Sequence, residues 1–160
     1  SSMVNHSILV HRLKTWFGID GSALSWILSY LSSRTFAVSA HGKLSPPTPL
    51  AHGVPQGSVL GPLLFILYTT PLSTLISSTS VDHHLYADDT QLYISFKPSF
   101  FSDVETSLKS TFTAVSKWMA ANLLALNSSK TEFLIIGCPK QLAKLTSSHT
   151  RHHYHCLILS

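Results

Sequence analysis

The sequence predicts an α+β fold in which helices pack on one face of an antiparallel sheet. Three observations point there: two short amphipathic repeats near the N-terminus, two β-favouring runs flanking Asp88 and Asp89, and a three-and-four-residue apolar repeat from Val104 to Met119. The 160 residues suffice for one domain with a real core. Apolar residues make up 44%, whereas Asp, Glu, Lys and Arg together reach 11%, less than half of the usual ~25%. Solvation therefore relies on hydroxyls, because 40 of the 160 residues are Ser or Thr. A net charge of +4 permits a nucleic-acid partner without demanding one, since the basic residues are dispersed.

Ile8, Leu9, Leu13, Trp16 and Phe17 recur at helical spacing and Gly18 follows, so a helix over 7–17 with a glycine stop is expected. A second helix is expected from Ser22 as N-cap, carrying Leu24, Ile27, Leu28 and Leu31 up to the Ser32-Ser33 break. Residues 36–38 suggest a short strand and 41–43 a turn. The Pro46-Pro47-Thr48-Pro49 segment reads as a connector, because each proline fixes its torsion and removes a donor.

The run 59–68 is apolar around its whole circumference and predicts a helix buried on most sides. Its core, Leu60 to Tyr68, is nine residues long, whereas a membrane span needs about 20, so no membrane partner is expected. Residues 73–80 read as a serine/threonine-rich link. Leu85-Tyr86-Ala87 and Gln91 to Phe96 predict a hairpin whose tip carries Asp88 and Asp89. Ser102 with Glu105 has the capping-box spacing and opens a helix through Val104, Leu108, Phe112, Val115 and Met119. Asn127-Ser128-Ser129 predicts a turn into a last strand over 131–136, ending at Gly137. Residues 138–160 are expected to form a loose, His-rich tail. Cys138 and Cys156 suggest neither a disulfide framework nor a thiolate zinc site.

Two constellations invite a chemical reading. Only seven acids occur, and two of them, Asp88 and Asp89, adjoin between apolar runs. They are either a plain turn or a divalent-metal site, whose cation neutralises a transferring phosphate and activates a hydroxyl. Successive strand residues point to opposite faces, so both acids serve one site only where the chain bends. The Gly53-Val54-Pro55-Gln56-Gly57-Ser58 segment is either an ordinary loop before a helix or a loop whose glycines let the backbone pass close to a ligand, with Gln56 offering amide hydrogen bonds. The histidine groups at 83–84 and 152–155 match no metal-ligand spacing and read as solvated loops.

Taken together, GVPQGSVLGPLLF at 53–65, YADD at 86–89 and NSSKTE at 127–132 resemble a reverse transcriptase, with the nearest likeness to LINE-type, non-LTR retrotransposons. The flanking VNHSIL at 4–9, YLSSR at 30–34, and KWM at 117–119 with Asn122 extend the likeness over about 4–137. The resemblance implies a fragment of a right-hand polymerase palm in residues 1–137, copying RNA into DNA by two-metal nucleotidyl transfer. It implies Asp88 and Asp89 as catalytic metal ligands for Mg²⁺, with Mn²⁺ as the alternative ion. Pro55, Gln56 and Gly57 would lie against the incoming nucleotide and template. Lys130 is either an exposed turn lysine or a catalytic residue near the leaving pyrophosphate. An RNA template, a DNA primer and deoxynucleotides are the implied partners, and a nuclear location follows from the family alone.

By the same alignment of motifs, a further catalytic Asp of the family would precede residue 1, the fingers would precede it too, and the thumb would follow residue 137. The expectation is therefore a truncated, inactive palm with an unpaired sheet edge prone to self-association. The alternative is a non-catalytic nucleic-acid-binding remnant or an unstable pseudogene product.

Overall fold

The computed structural model describes residues 4–32, 59–86, 89–136, 138–146 and 157–159, together with the strand backbone at 35–36, 39–40, 43–44 and 48–49. The chain forms two compact units, one of residues 1–69 with 122–124 and one of 70–121 with 125–160.

In the first unit, α1 (His6–Phe17) starts at Asn5, whose side-chain oxygen accepts from the Ile8 N–H at 3.0 Å. It stops at Gly18, which holds φ +62° and donates to the Lys14 carbonyl at 3.2 Å. The expected helix and its stop are present, but its buried face differs. Leu9, Leu13 and Arg12 are buried, whereas Trp16 and Phe17 are exposed. Helix α2 (Gly21–Ser32) starts ahead of Ser22: the Asp20 carboxylate accepts the Gly21 N–H at 2.8 Å, and Ser22 lies inside the first turn. Leu24 and Leu31 are its buried residues, and α2 packs against α1.

After α2, four two-residue strands form two antiparallel pairs: β1 (Thr35–Phe36) with β4 (Thr48–Pro49), and β2 (Ser39–Ala40) with β3 (Lys43–Leu44). The proline-rich connector therefore contributes a strand residue, Pro49 opposite Thr35. A two-stranded pair consists of edges alone, and edges tolerate a missing donor.

Helix α3 (Leu60–Ser77) is longer than expected, running through Pro71 into the supposed serine/threonine link. It buries the four-residue stripe Leu64, Tyr68, Leu72 and Ile76, while Leu63 and Ile66 are exposed, so it is one-sided rather than enclosed. At 18 residues and mean hydropathy 1.4 it is long and apolar enough to cross a membrane by length and composition. Apolarity alone ends the stretch at Tyr68, because the serines and threonines that follow mask helix continuity.

In the second unit, β5 (Asp82–Tyr86) and β6 (Asp89–Tyr93) form the expected hairpin. Helix α4 (Phe101–Ala121) buries Val104, Leu108, Thr111, Val115 and Met119 at helical spacing, with Phe112 half-buried. The capping box does not form. Residues 98–100 already make a 3₁₀ turn ahead of α4, so Ser102 falls inside the helix, where its carbonyl accepts from Thr106 at 3.0 Å. Glu105 instead pairs with Lys109 at 2.7 Å. Beyond Gly137, where a loose tail is expected, the chain forms α5 (Pro139–Thr146) and β7 (Leu157–Leu159). Strand β7 pairs antiparallel with β6, giving the sheet order β5-β6-β7. The expected last strand at 131–136 is reduced to a single bridge residue, Glu132.

Candidate active site

The hairpin register pairs Tyr86 with Asp89, Leu85 with Thr90, His84 with Gln91, His83 with Leu92 and Asp82 with Tyr93. Opposed residues share a face, so Thr90 and Leu92, at 3% and 0% exposure, turn inward with Leu85 and His83. Tyr86, Asp89, His84 and Gln91 occupy the other, more exposed face, where Tyr86 is 72% exposed. The buried Leu92 and Thr90 seat the hairpin, and alternation then delivers the half-buried Asp89 to the opposite face at the strand end. Chain order leaves Ala87 and Asp88 between the strands. Asp88 lies outside the described residues, as do Pro55, Gln56 and Gly57.

Asp89 offers hard oxygen donors, which suit Mg²⁺. Among the described residues, no three His, Cys, Asp or Glu side chains cluster as a metal site. The fit therefore rests on Asp89 together with its neighbour in sequence. Lys130 ends a 3₁₀ turn (Ser128–Lys130) that Asn127 organises, its side-chain oxygen accepting from the Ser129 hydroxyl at 2.6 Å and the Ser129 N–H at 3.2 Å. The Lys130 N–H donates to the Asn127 carbonyl at 3.1 Å, and the lysine is exposed. This turn lies close to β7, which pairs with β6, the strand that begins at Asp89.

A polar network in the first unit escaped the sequence reading. Arg12, 9% exposed, donates to the Tyr68 carbonyl and, at 2.5 Å, to the Asn122 side-chain oxygen. Its guanidinium stands 5.0 Å from the centre of the Tyr68 ring, and the Tyr68 hydroxyl donates to the Asn122 carbonyl at 2.5 Å. Burial lowers the Arg12 pKa, opposed by the nearby phenol. Burial likewise pushes the Tyr68 phenol above 10.0, against smaller opposing effects from a backbone hydrogen bond at Asn5 and the Arg12 charge. The helical phase of Arg12, between Leu9 and Leu13, was the available signal.

The family described as reverse transcriptase (RNA-dependent DNA polymerase) matches residues 3–157, nearly the whole chain. The chain belongs to the reverse transcriptase family. It is 33% identical over 131 residues, 79% of its length, to a probable RNA-directed DNA polymerase from transposon BS of Drosophila melanogaster, covering 14% of that protein. It is 34% identical over 109 residues, 65% of its length, to the RNA-directed DNA polymerase from mobile element jockey of the same species, covering 12% of it. A third relative, from transposon X-element of that species, is 35% identical over 104 residues, covering 64% of the chain and 11% of the relative. The chain thus spans 11–14% of the length of these curated relatives. No solved structure gives a significant match. These relatives agree with the resemblance to non-LTR reverse transcriptases read from the motifs. Reverse transcriptases use divalent metals and act on nucleic acid, and the family match extends through the segment that forms α5.

Proposed function

We propose that residues 1–137 form part of a right-hand palm of an RNA-directed DNA polymerase, with the β5–β6 hairpin as its metal-binding element. The observation that carries this reading is the Tyr86–Asp89 pairing, with the Asp89 carboxylate at the strand end; Asp88 is its neighbour in sequence. Asp88 and Asp89 would hold Mg²⁺ or Mn²⁺, which when bound neutralises phosphate charge and activates a hydroxyl. Tyr86, beside Asp89 and largely exposed, offers an aromatic surface to a primer end. Lys130 presents a cation to the pyrophosphate, and the family resemblance alone assigns Pro55, Gln56 and Gly57 to the nucleotide, the RNA template and the DNA primer.

These 160 residues alone do not extend a primer in this reading. The first acid in the sequence is Asp20, so the carboxylate expected on a preceding strand is not among them, and fewer carboxylates hold two cations less well. The outer edge of β5 has no strand partner among the described residues, and self-association through it is part of the proposal.

The test is a Mn²⁺ titration of the chain followed by amide NMR, with Asp88→Ala and Asp89→Ala beside the unmodified chain. Broadening centred on Tyr86, Asp89 and Thr90 that both substitutions abolish supports the reading. Broadening elsewhere, or unchanged in the variants, refutes the metal site, and primer extension by the chain alone refutes its inactivity.

A further inference from the structure

We infer that the hydrogen bond between Ser73 and His83 positions the β5–β6 hairpin for the role proposed above, and this inference rests on that reading. Ser73 Oγ and His83 Nε2 are 2.7 Å apart, and both residues are half-buried. Ser73 stands in the last two turns of α3, and His83 is the second residue of β5, opposite the fully buried Leu92. Leu85 and Leu92 on the same face contribute apolar contact, which is non-directional. Such contact alone tolerates sliding of a strand along a helix. A hydrogen bond tolerates little, because it weakens steeply with distance and angle.

Ser73–His83 therefore sets where β5 lies along α3. His83 is three residues before Tyr86, about 10 Å along the strand at ~3.3 Å per residue, so a shift at His83 is carried to the end of the hairpin, where Asp89 stands. Ser73 and His83 are positioning residues. His83 lies on the hairpin face opposite Asp89.

The experiment uses the full 160-residue chain with Ser73→Ala and His83→Leu, which remove the bond, and His83→Gln, whose amide keeps a polar partner for the hydroxyl. Amide hydrogen exchange at Tyr86, Asp89 and Thr90 is expected to quicken about two- to tenfold in Ser73→Ala and His83→Leu, the range for one net hydrogen bond. His83→Gln restores it, and the amides of Leu108 and Val115 in α4 stay unchanged. Equal acceleration of hairpin and α4 amides, no acceleration, or no rescue by His83→Gln overturns the inference.

Mn²⁺ broadening in the same samples separates the inference from the function it rests on. Absence of broadening in the unmodified chain defeats the polymerase reading, while the exchange data still decide whether the bond places the hairpin. Where the unmodified chain binds, Mn²⁺ affinity falls by a similar two- to tenfold in Ser73→Ala and His83→Leu. An unchanged affinity overturns the positioning role.

Discussion

Replacing Asn122 by alanine tests how the buried Arg12 is held. The substitution deletes the side-chain oxygen that accepts from Arg12 at 2.5 Å, yet keeps the main-chain carbonyl that accepts the Tyr68 hydroxyl. Arg12 is 9% exposed, so water replaces the lost acceptor poorly. A hydrogen bond to a charged group contributes about 1.5–3 kcal/mol, and the expected loss is about 2 kcal/mol. Arg12→Met removes as many heavy atoms yet should cost less, about 1 kcal/mol, because it also removes the penalty of burying a cation. The other acceptor, the Tyr68 carbonyl, lies inside α3, where helix geometry supplies a donor four residues on. The assay is native-state amide exchange at Leu9 and Leu13 of α1, read within the first unit so that unfolding of the second does not intrude. A 2 kcal/mol loss appears as exchange about thirtyfold faster, at 1.36 kcal/mol per factor of ten. An Asn122→Ala effect below about 0.5 kcal/mol, or an Arg12→Met cost above that of Asn122→Ala, would refute the reasoning.

Gly18→Ala should destabilise α1 by about 1 kcal/mol, a cost from the backbone, because Gly18 holds φ +62° and an added Cβ meets nothing within 4 Å. Urea unfolding followed by α1 amide signals checks it, and Gly18→Asn should cost less because asparagine tolerates that conformation. Alkaline stability probes Tyr68: its phenol is held above its ordinary 10.0 by burial, so its contribution is full below pH 10 and is lost as pH rises through the raised value. Tyr68→Phe should therefore show a shallower decline in stability above pH 10, measured by denaturant midpoints at stepped pH. An unchanged slope would mean that the phenol is not the group lost.

Local patterns were the legible part. Helix α1 and its stop could be read because an apolar stripe, a left-handed glycine and the cap act within a few residues of one another. The same holds for α4, whose repeat from Val104 to Met119 is intact in the structure. The hairpin was legible because β-favouring runs flank a short acidic connection, although its strands start earlier, at Asp82 and Asp89, than the apolar residues suggest. Ser102 misled because a capping signal says nothing of a preceding 3₁₀ turn that already starts the helix. The loose-tail reading of 138–160 failed to foresee β7, since three apolar residues become a strand when an edge such as that of β6 is there to receive them.

By itself the sequence determined the fold class, the family and the order of the motifs, because residue types at set spacings are local and survive without coordinates. The tertiary structure decided which of those residues meet. Arg12 looks like one more exposed cation until α3 and the end of α4 bring acceptors from 56 and 110 positions away. Ser73 looks like link sequence until α3 continues past Pro71 and sets its hydroxyl against His83. Burial and long-range hydrogen bonds depend on which surfaces pack together, and no single stretch of chain carries that information.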